Sequence, residues 1–238
     1  MNYRRIFITG DPHGEFSHLH VKQKELNMSS QDLLIILGDV GVNCYNDNRD
    51  LDAKADLSSL HPEILCLHGN HERRPYSPDI VWSYEKSVWK QGAVFVEKEF
   101  PTLLFAEEGE RYLINGYTFR VIGGAYSIDD YYRTLKGQPF YPDEQLSEEE
   151  RNRILRRMGE DGWKEDVILT HTCPYSYRPV EKFVPGIPQD GVDTSMEEFL
   201  EKIEKRTEYK QWYCGHWHVD KDVDRIHFLS HKVIELPL

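Results

Sequence analysis

The chain lacks a basic character. Its 238 residues carry 29 Lys and Arg against 41 Asp and Glu, a formal net charge of −12. Proteins that grip duplex DNA without sequence preference do so through clustered cations. Non-specific duplex binding is therefore not expected, and an anionic partner must be held locally, by a few arginines or by bound metal. Long apolar runs are missing too. Nothing approaches the roughly 20 residues that span a bilayer, so no membrane partner is expected. The N-terminal run Ile6-Phe7-Ile8 ends at once in Thr9-Gly10-Asp11, short of the apolar region of a signal peptide. Cysteine is sparse: Cys44, Cys66, Cys173 and Cys214 form no CxxC pair. That pattern reads as reduced thiols of a cytoplasmic protein rather than as a disulfide framework or a zinc finger. There is no Gly-x-Ser-x-Gly elbow, and Cys173 does not open a helix, so neither a serine nor a thiol nucleophile is visible. Disorder and low complexity are excluded by 39% apolar and 12% aromatic residues with ordinary glycine and proline content.

What is present is a rhythm. Ile6 to Thr9, Leu33 to Leu37 and Glu63 to Leu67 are short apolar runs of the kind buried on both faces of a parallel sheet. Helical patterns from Glu15 to Leu26 and from Asn48 to Leu60 separate them. The runs end at Asp11, Asp39 and Asn70, about 30 residues apart, which is the length of a βαβ unit. Short strands at Ala93–Val96, Leu103–Phe105, Tyr112–Ile114 and Tyr117–Ile122 read as an antiparallel meander. A capped helix from Ser147 to Met158, a strand from Asp166 to Thr170, a helix from Thr194 to Lys205 and strands near Gln211–Cys214, Ile226–Leu229 and Lys232–Leu236 complete the chain. No linker or longer repeat interrupts it. One domain over 1–238 is expected, with a substrate-facing insertion at about 125–160.

The residues that end the strands carry the chemistry. They are Asp11-x-His13, Gly38-Asp39, Gly69-Asn70-His71, Thr170-His171 and Gly215-His216-x-His218. A single histidine after a strand is more often a hydrogen-bonded packing residue than a ligand. Five strand ends bearing Asp, His or Asn are another matter, because open α/β sheets place ligands at that edge. Carboxylate, amide oxygen and imidazole make a donor set of intermediate hardness, suited to manganese first, or to iron, zinc, cobalt or nickel, rather than calcium. The set points to two divalent transition-metal ions, with Asp39 as the bridging carboxylate between them.

At these residues the sequence resembles the calcineurin-like metallophosphoesterase superfamily, whose motifs DxH, GD, GNH, H and GHxH appear in order. The resemblance implies an α/β fold, a four-layer αββα sandwich of mixed sheets, and hydrolysis of phosphate mono- or diesters by a metal-activated hydroxide. It implies that Asp11, His13, Asp39 and His218 hold one ion and that Asp39, Asn70, His171 and His216 hold the other. His71 would stand beside the scissile phosphate as the catalytic histidine. The protein-phosphatase branch extends GD to GDxVDRG; here Gly38-Asp39-Val40-Gly41-Val42-Asn43 lacks the late Asp and Arg. A Ser/Thr protein phosphatase is therefore not expected. Glu72 can replace that Asp in orienting His71, with Arg73 or Arg74 near phosphate; otherwise all three are solvated loop charges. The stretch Gly123-Gly124-Ala125-Tyr126-Ser127 looks like small phage and bacterial members.

Beyond it, Tyr126, Tyr131, Tyr132, Arg133, Lys136, Phe140 and Tyr141 form an aromatic and cationic stretch, and Tyr175, Tyr177 and Arg178 follow His171. Such residues stack bases and meet phosphates, or pack an irregular loop onto the sandwich. Tyr126, Tyr132, Arg133 and Arg73 are the substrate-contact candidates, for a nucleotide or a nucleic-acid end. Two rival readings are an inactive scaffold that kept the fold and a nuclease subunit of a larger complex. The first should show damaged ligands and the second basic extensions.

Overall fold

The computed structural model describes residues 2–128, 133, 135–137, 139, 141–183 and 190–237. The first sheet joins seven strands. They are β1 (Ile6–Thr9), β2 (Leu33–Ile36), β3 (Glu63–Cys66), β4 (Tyr84–Trp89), β5 (Gly92–Glu97), β6 (Leu103–Ala106) and β13 (Ile234–Glu235). Their spatial order is β13-β1-β2-β3-β6-β5-β4. The second sheet holds β7 (Arg111–Ile114), β8 (Tyr117–Ile122), β9 (Lys164–Thr170), β10 (Glu208–Cys214), β11 (Lys221–Val223) and β12 (Ile226–Phe228), in the order β11-β12-β10-β9-β8-β7. Both are mixed. β1, β2, β3 and β6 run parallel in the first, as do β8, β9, β10 and β12 in the second, with antiparallel strands at the margins.

The period-2 alternation of side chains along each strand divides the molecule into layers. Ile6, Ile8, Leu33, Ile35 and Leu65 from the first sheet meet Phe119, Val121, Val167, Leu169 and Tyr213 from the second, and fill the space between them. Their neighbours Phe7, Leu34, Ile36, Ile64 and Cys66 point the other way, onto Phe16, Leu19 and Leu57 of the segments carrying α1 (Ser17–Glu25) and α2 (Asn48–Ser58). Ile122, Ile168, Trp212 and Phe228 likewise face α3 (Glu148–Glu160) and α4 (Ser195–Glu204). The helices answer at helical spacing, with Ile154 and Met158 on α3 and Met196, Phe199, Leu200 and Ile203 on α4. The result is the expected αββα sandwich. The outer position of α3 removes residues 148–160 from the expected insertion and gives them to the sandwich. The Ser147–Glu150 capping box that opens α3 is formed in both directions.

Two expectations are corrected. The meander is not one sheet: β5 and β6 close the first sheet, while β7 and β8 open the second. Short apolar strands look alike in sequence whichever sheet receives them. Strand β4 was not anticipated, because it is an edge strand whose residues Glu85 to Val88 are exposed and show no alternation. Among the described residues no helix is long and apolar enough to cross a membrane.

Candidate metal centre

The parallel strands of both sheets end at one edge of the sandwich. Asp11 and His13 follow β1, Asp39 follows β2, Asn70 and His71 follow β3, His171 follows β9, and His216 and His218 follow β10. All the sequence-predicted ligands and His71 therefore meet there. Donor atoms of Asp11, Asp39 and His171, all buried, lie within 4.8 Å of one another. His171 Nε2 is 2.8 Å from Asn70 Oδ1 and 3.6 Å from Asp39 Oδ1. His216 Nδ1 is 3.0 Å from the same Asn70 oxygen. His13 Nε2 is 3.0 Å from His218 Nε2 and 3.7 Å from Asp39 Oδ2.

Backbone contacts hold this arrangement. The Asp39 carboxylate accepts the His71 N–H at 2.8 Å. Both oxygens of Asp11 accept the His216 N–H, at 3.0 and 2.9 Å, which ties the loop after β1 to the loop after β10. A Cβ on Gly69 would collide with Asp39, and one on Gly38, at φ +100°, with the His171 ring. Those two glycines of the GD and GNH motifs are thus required by close approach of the ligands. Four cluster residues occupy the left-handed region: His13 at φ 49°, Asp39 at 47°, His216 at 64° and His218 at 48°. Such backbone costs about 1–3 kcal/mol per residue and collects at functional sites. Here it turns consecutive donors inward from tight loops.

The donor set fits a cation on its own hydrogen bonding. His171 Nδ1 donates to the Leu37 carbonyl at 2.7 Å, which leaves the Nε2 lone pair aimed at Asn70. The Asn70 amide spends its NH2 on Ser127 Oγ at 2.8 Å, so Oδ1 is what faces both imidazoles. With His171 neutral, its Nε2 and the Asn70 Oδ1 are then two acceptors facing each other at 2.8 Å with no hydrogen between them. A metal ligand histidine fixed through its other nitrogen is the usual device for such a site. Without a cation the cluster must hold protons instead. Burial lowers the basicity of His171, but Asp39 and Asp11 outweigh it and raise its pKa to about 9. Burial pushes Asp11 up, while His171 and its histidine neighbours hold Asp39 down despite burial. His216, buried beside the charged His171, is pushed down to about 3.

The outlying candidates divide. Arg133 lies with its guanidinium on His71 Nδ1. Tyr126 lines the cavity that opens from the cluster. Tyr132 lies outside the described residues, as do Tyr131 and Phe140. Arg73 is engaged within the protein, its Nε pairing with Asp79 at 2.5 Å and its Nη1 donating to the Cys44 carbonyl at 2.6 Å. Glu72 does not orient His71. Its buried carboxylate accepts the N–H groups of Val40, Gly41 and Gly69, and so clamps the loop after β2 to the loop after β3. Burial and Asp39 push its pKa up to about 7, against those hydrogen bonds. Arg74 is not solvated, being buried on Tyr76, Glu150 and the Gln145 carbonyl.

Sequence reasoning missed Ser127, whose hydroxyl sets the Asn70 amide, although it lies at the end of the Gly-Gly-Ala-Tyr-Ser stretch. It also missed the far wall of the cavity. That space, of about 410 Å³, runs from Asn70, His71 and His216 to Arg178, Lys182, Phe183 and Trp217.

Two mixed sheets that deliver carboxylates, an amide and imidazoles to one edge define an α/β protein with a candidate metal site at that edge. The calcineurin-like phosphoesterase family model matches residues 4–220, and the chain belongs to that family. Its fold is similar to the crystal structure of TT1561 of Thermus thermophilus, with TM-score 0.54 at 13% identity over 98% of each chain. An 83-residue stretch, 34% of this chain, is 32% identical to an uncharacterized protein of Haemophilus influenzae and spans 31% of that relative's length.

Proposed function

We propose that the protein is a metal-dependent phosphoesterase that hydrolyses phosphate mono- or diesters, with a nucleotide or a nucleic-acid end as substrate. The observation that carries this reading is the convergence of His171 Nε2, His216 Nδ1 and Asn70 Oδ1 beside two buried carboxylates, an arrangement that a divalent cation completes. Asp11, His13, Asp39, Asn70, His171, His216 and His218 would hold two ions, manganese first among them. Such ions supply a water nucleophile of lowered pKa and neutralise charge on the phosphoryl oxygens. The chain's own groups do the rest. Asp39, central to the set, fixes the His71 backbone through its N–H, and Arg133 on Nδ1 leaves the His71 hydrogen on Nε2. From there the imidazole donates to a phosphoryl oxygen or protonates the leaving oxygen. An intact donor set also favours an enzyme over an inactive scaffold.

The test is metal removal. Exhaustive chelation should abolish hydrolysis of p-nitrophenyl phosphate and bis-p-nitrophenyl phosphate, and manganese, cobalt or nickel should restore it. Asp39→Ala should lose more bound metal than any single histidine change. Full turnover by protein shown metal-free by elemental analysis would sink the reading.

A further inference from the structure

We propose that the cavity beside the cluster is a site for a small nucleotide bearing a second phosphate, its base against the Phe183–Trp217 wall and that second phosphate on Arg178 and Lys182. The position of the reacting phosphoryl group rests on the phosphoesterase reading above; the rest of the site does not.

The cavity volume, about 410 Å³, falls within the range of small-molecule pockets and exceeds what a lone phosphoryl group fills. Its far side is aromatic. The Phe183 and Trp217 rings stack with centroids 5.8 Å apart and planes 21° from parallel. Trp217 also stands edge-on to His216 at 5.2 Å, so the apolar wall starts at the cluster itself. Trp217 is flanked by His216 and His218, both in left-handed backbone. The Arg178 guanidinium lies 5.9 Å from the Phe183 centroid as well, and a heterocyclic base can extend such an aromatic and cationic stack without needing specific hydrogen bonds.

Arg178 and Lys182 line the same space. Arg178 is fixed from behind, its guanidinium 3.6 Å from the Tyr175 ring centroid and its Nε donating to the Tyr175 carbonyl at 3.2 Å. Among the described residues neither cation forms a salt bridge. Of the two acids lining the cavity beside them, Glu197 accepts the Thr172 hydroxyl at 2.7 Å and feels the Arg178 charge without pairing with it, and Asp193 accepts the Ser195 N–H at 2.8 Å and the Gln145 amide at 3.0 Å. Two cations that form no salt bridge among the described residues, lining the same cavity as the candidate metal ligands, match an anion separated from the reacting phosphate by a nucleoside. A polynucleotide is disfavoured by the net charge of −12, which leaves only this local patch to attract it.

Calorimetry on the full chain with manganese tests the proposal, using adenosine 3′,5′-bisphosphate, adenosine 5′-monophosphate and ribose 5-phosphate. The base should improve affinity about tenfold or more over ribose 5-phosphate, and the second phosphate about tenfold again. Phe183→Ala should cut the base preference to about threefold or less; Phe183→Leu, which keeps apolar bulk, should do the same with an unaltered melting point. Arg178→Ala combined with Lys182→Ala should erase the bisphosphate preference. Binding should also quench intrinsic fluorescence, and Trp217→Phe should remove that quench. Preferences near unity in the wild type, or undiminished in the variants, would overturn the site. Failure of the underlying reading looks different: the nucleotide preferences would stand while no phosphate ester is turned over with any divalent metal.

Discussion

Asn70 Nδ2 donates to Ser127 Oγ at 2.8 Å, and that one contact decides which end of the amide meets His171 and His216. Ser127 is itself held, its N–H donating to Glu144 Oε1 at 2.9 Å. A residue that binds no cation thus sets the polarity of a group that is placed to do so.

Ser127→Ala should therefore weaken manganese binding without unfolding the protein. Loss of an outer partner typically costs about 10–100-fold in metal affinity. Titration calorimetry of wild type and variant checks this, with Ser127→Thr expected to recover much of the loss. An alanine variant with wild-type affinity would show that the amide is oriented by the histidines alone.

The loss of stability at low pH has a separate source. Burial works against the Asp32 carboxylate, but hydrogen bonds from Arg4, Arg5 and Ser29 hold its pKa well below the usual carboxylate range. Asp32 is buried, and Arg4 meets it at 2.6 Å. A depressed folded pKa contributes stability that is fully present above the unfolded value, near 4, and is lost as pH falls toward the folded one. Asp32→Asn should therefore cost about 1–3 kcal/mol at pH 7, and the gap between the two proteins should narrow below about pH 4. Urea midpoints at neutral and acid pH read this out. A gap that is constant with pH would assign the loss to packing rather than to charge.

The strand-end motifs made the candidate metal centre legible in the sequence because each candidate ligand follows directly on an apolar run, and a parallel sheet brings such ends to one edge. Asp11, Asp39, Asn70, His171 and His216 needed only that rule. What decides the second layer of contacts was not legible. Glu72 is adjacent to His71 in sequence, yet its carboxylate points back to three loop N–H groups. Arg133, 62 residues away, is what meets the imidazole. Trp217 sits inside the GHxH motif, but its role as a wall depends on Phe183, which arrives from a different loop. Neighbourhood along the chain predicts a strand end; it says little about which loop folds over it. Strand β4 was missed for a related reason, since an exposed edge strand has no buried face to impose a pattern on its sequence.

The His71–Arg133 contact supplies the sharpest test of chemistry. With Nδ1 accepting from the guanidinium, the imidazole carries its hydrogen on Nε2, free to face a phosphate. Donation to a leaving oxygen matters most when that oxygen leaves poorly, and is worth about 10²–10⁴-fold. A p-nitrophenolate departs without a proton, whereas a ribose alkoxide hardly can. His71→Ala should thus keep its metal, lose most of its activity on a nucleotide ester and lose much less on a p-nitrophenyl ester. Arg133→Ala should show the same leaving-group signature at smaller size, and the double variant should be no worse than His71→Ala alone, as expected of residues acting as one unit. Additive losses would mean that Arg133 contacts substrate in its own right. Equal impairment on both leaving groups would confine His71 to stabilising phosphoryl oxygens, and a His71 variant short of metal would make it a ligand.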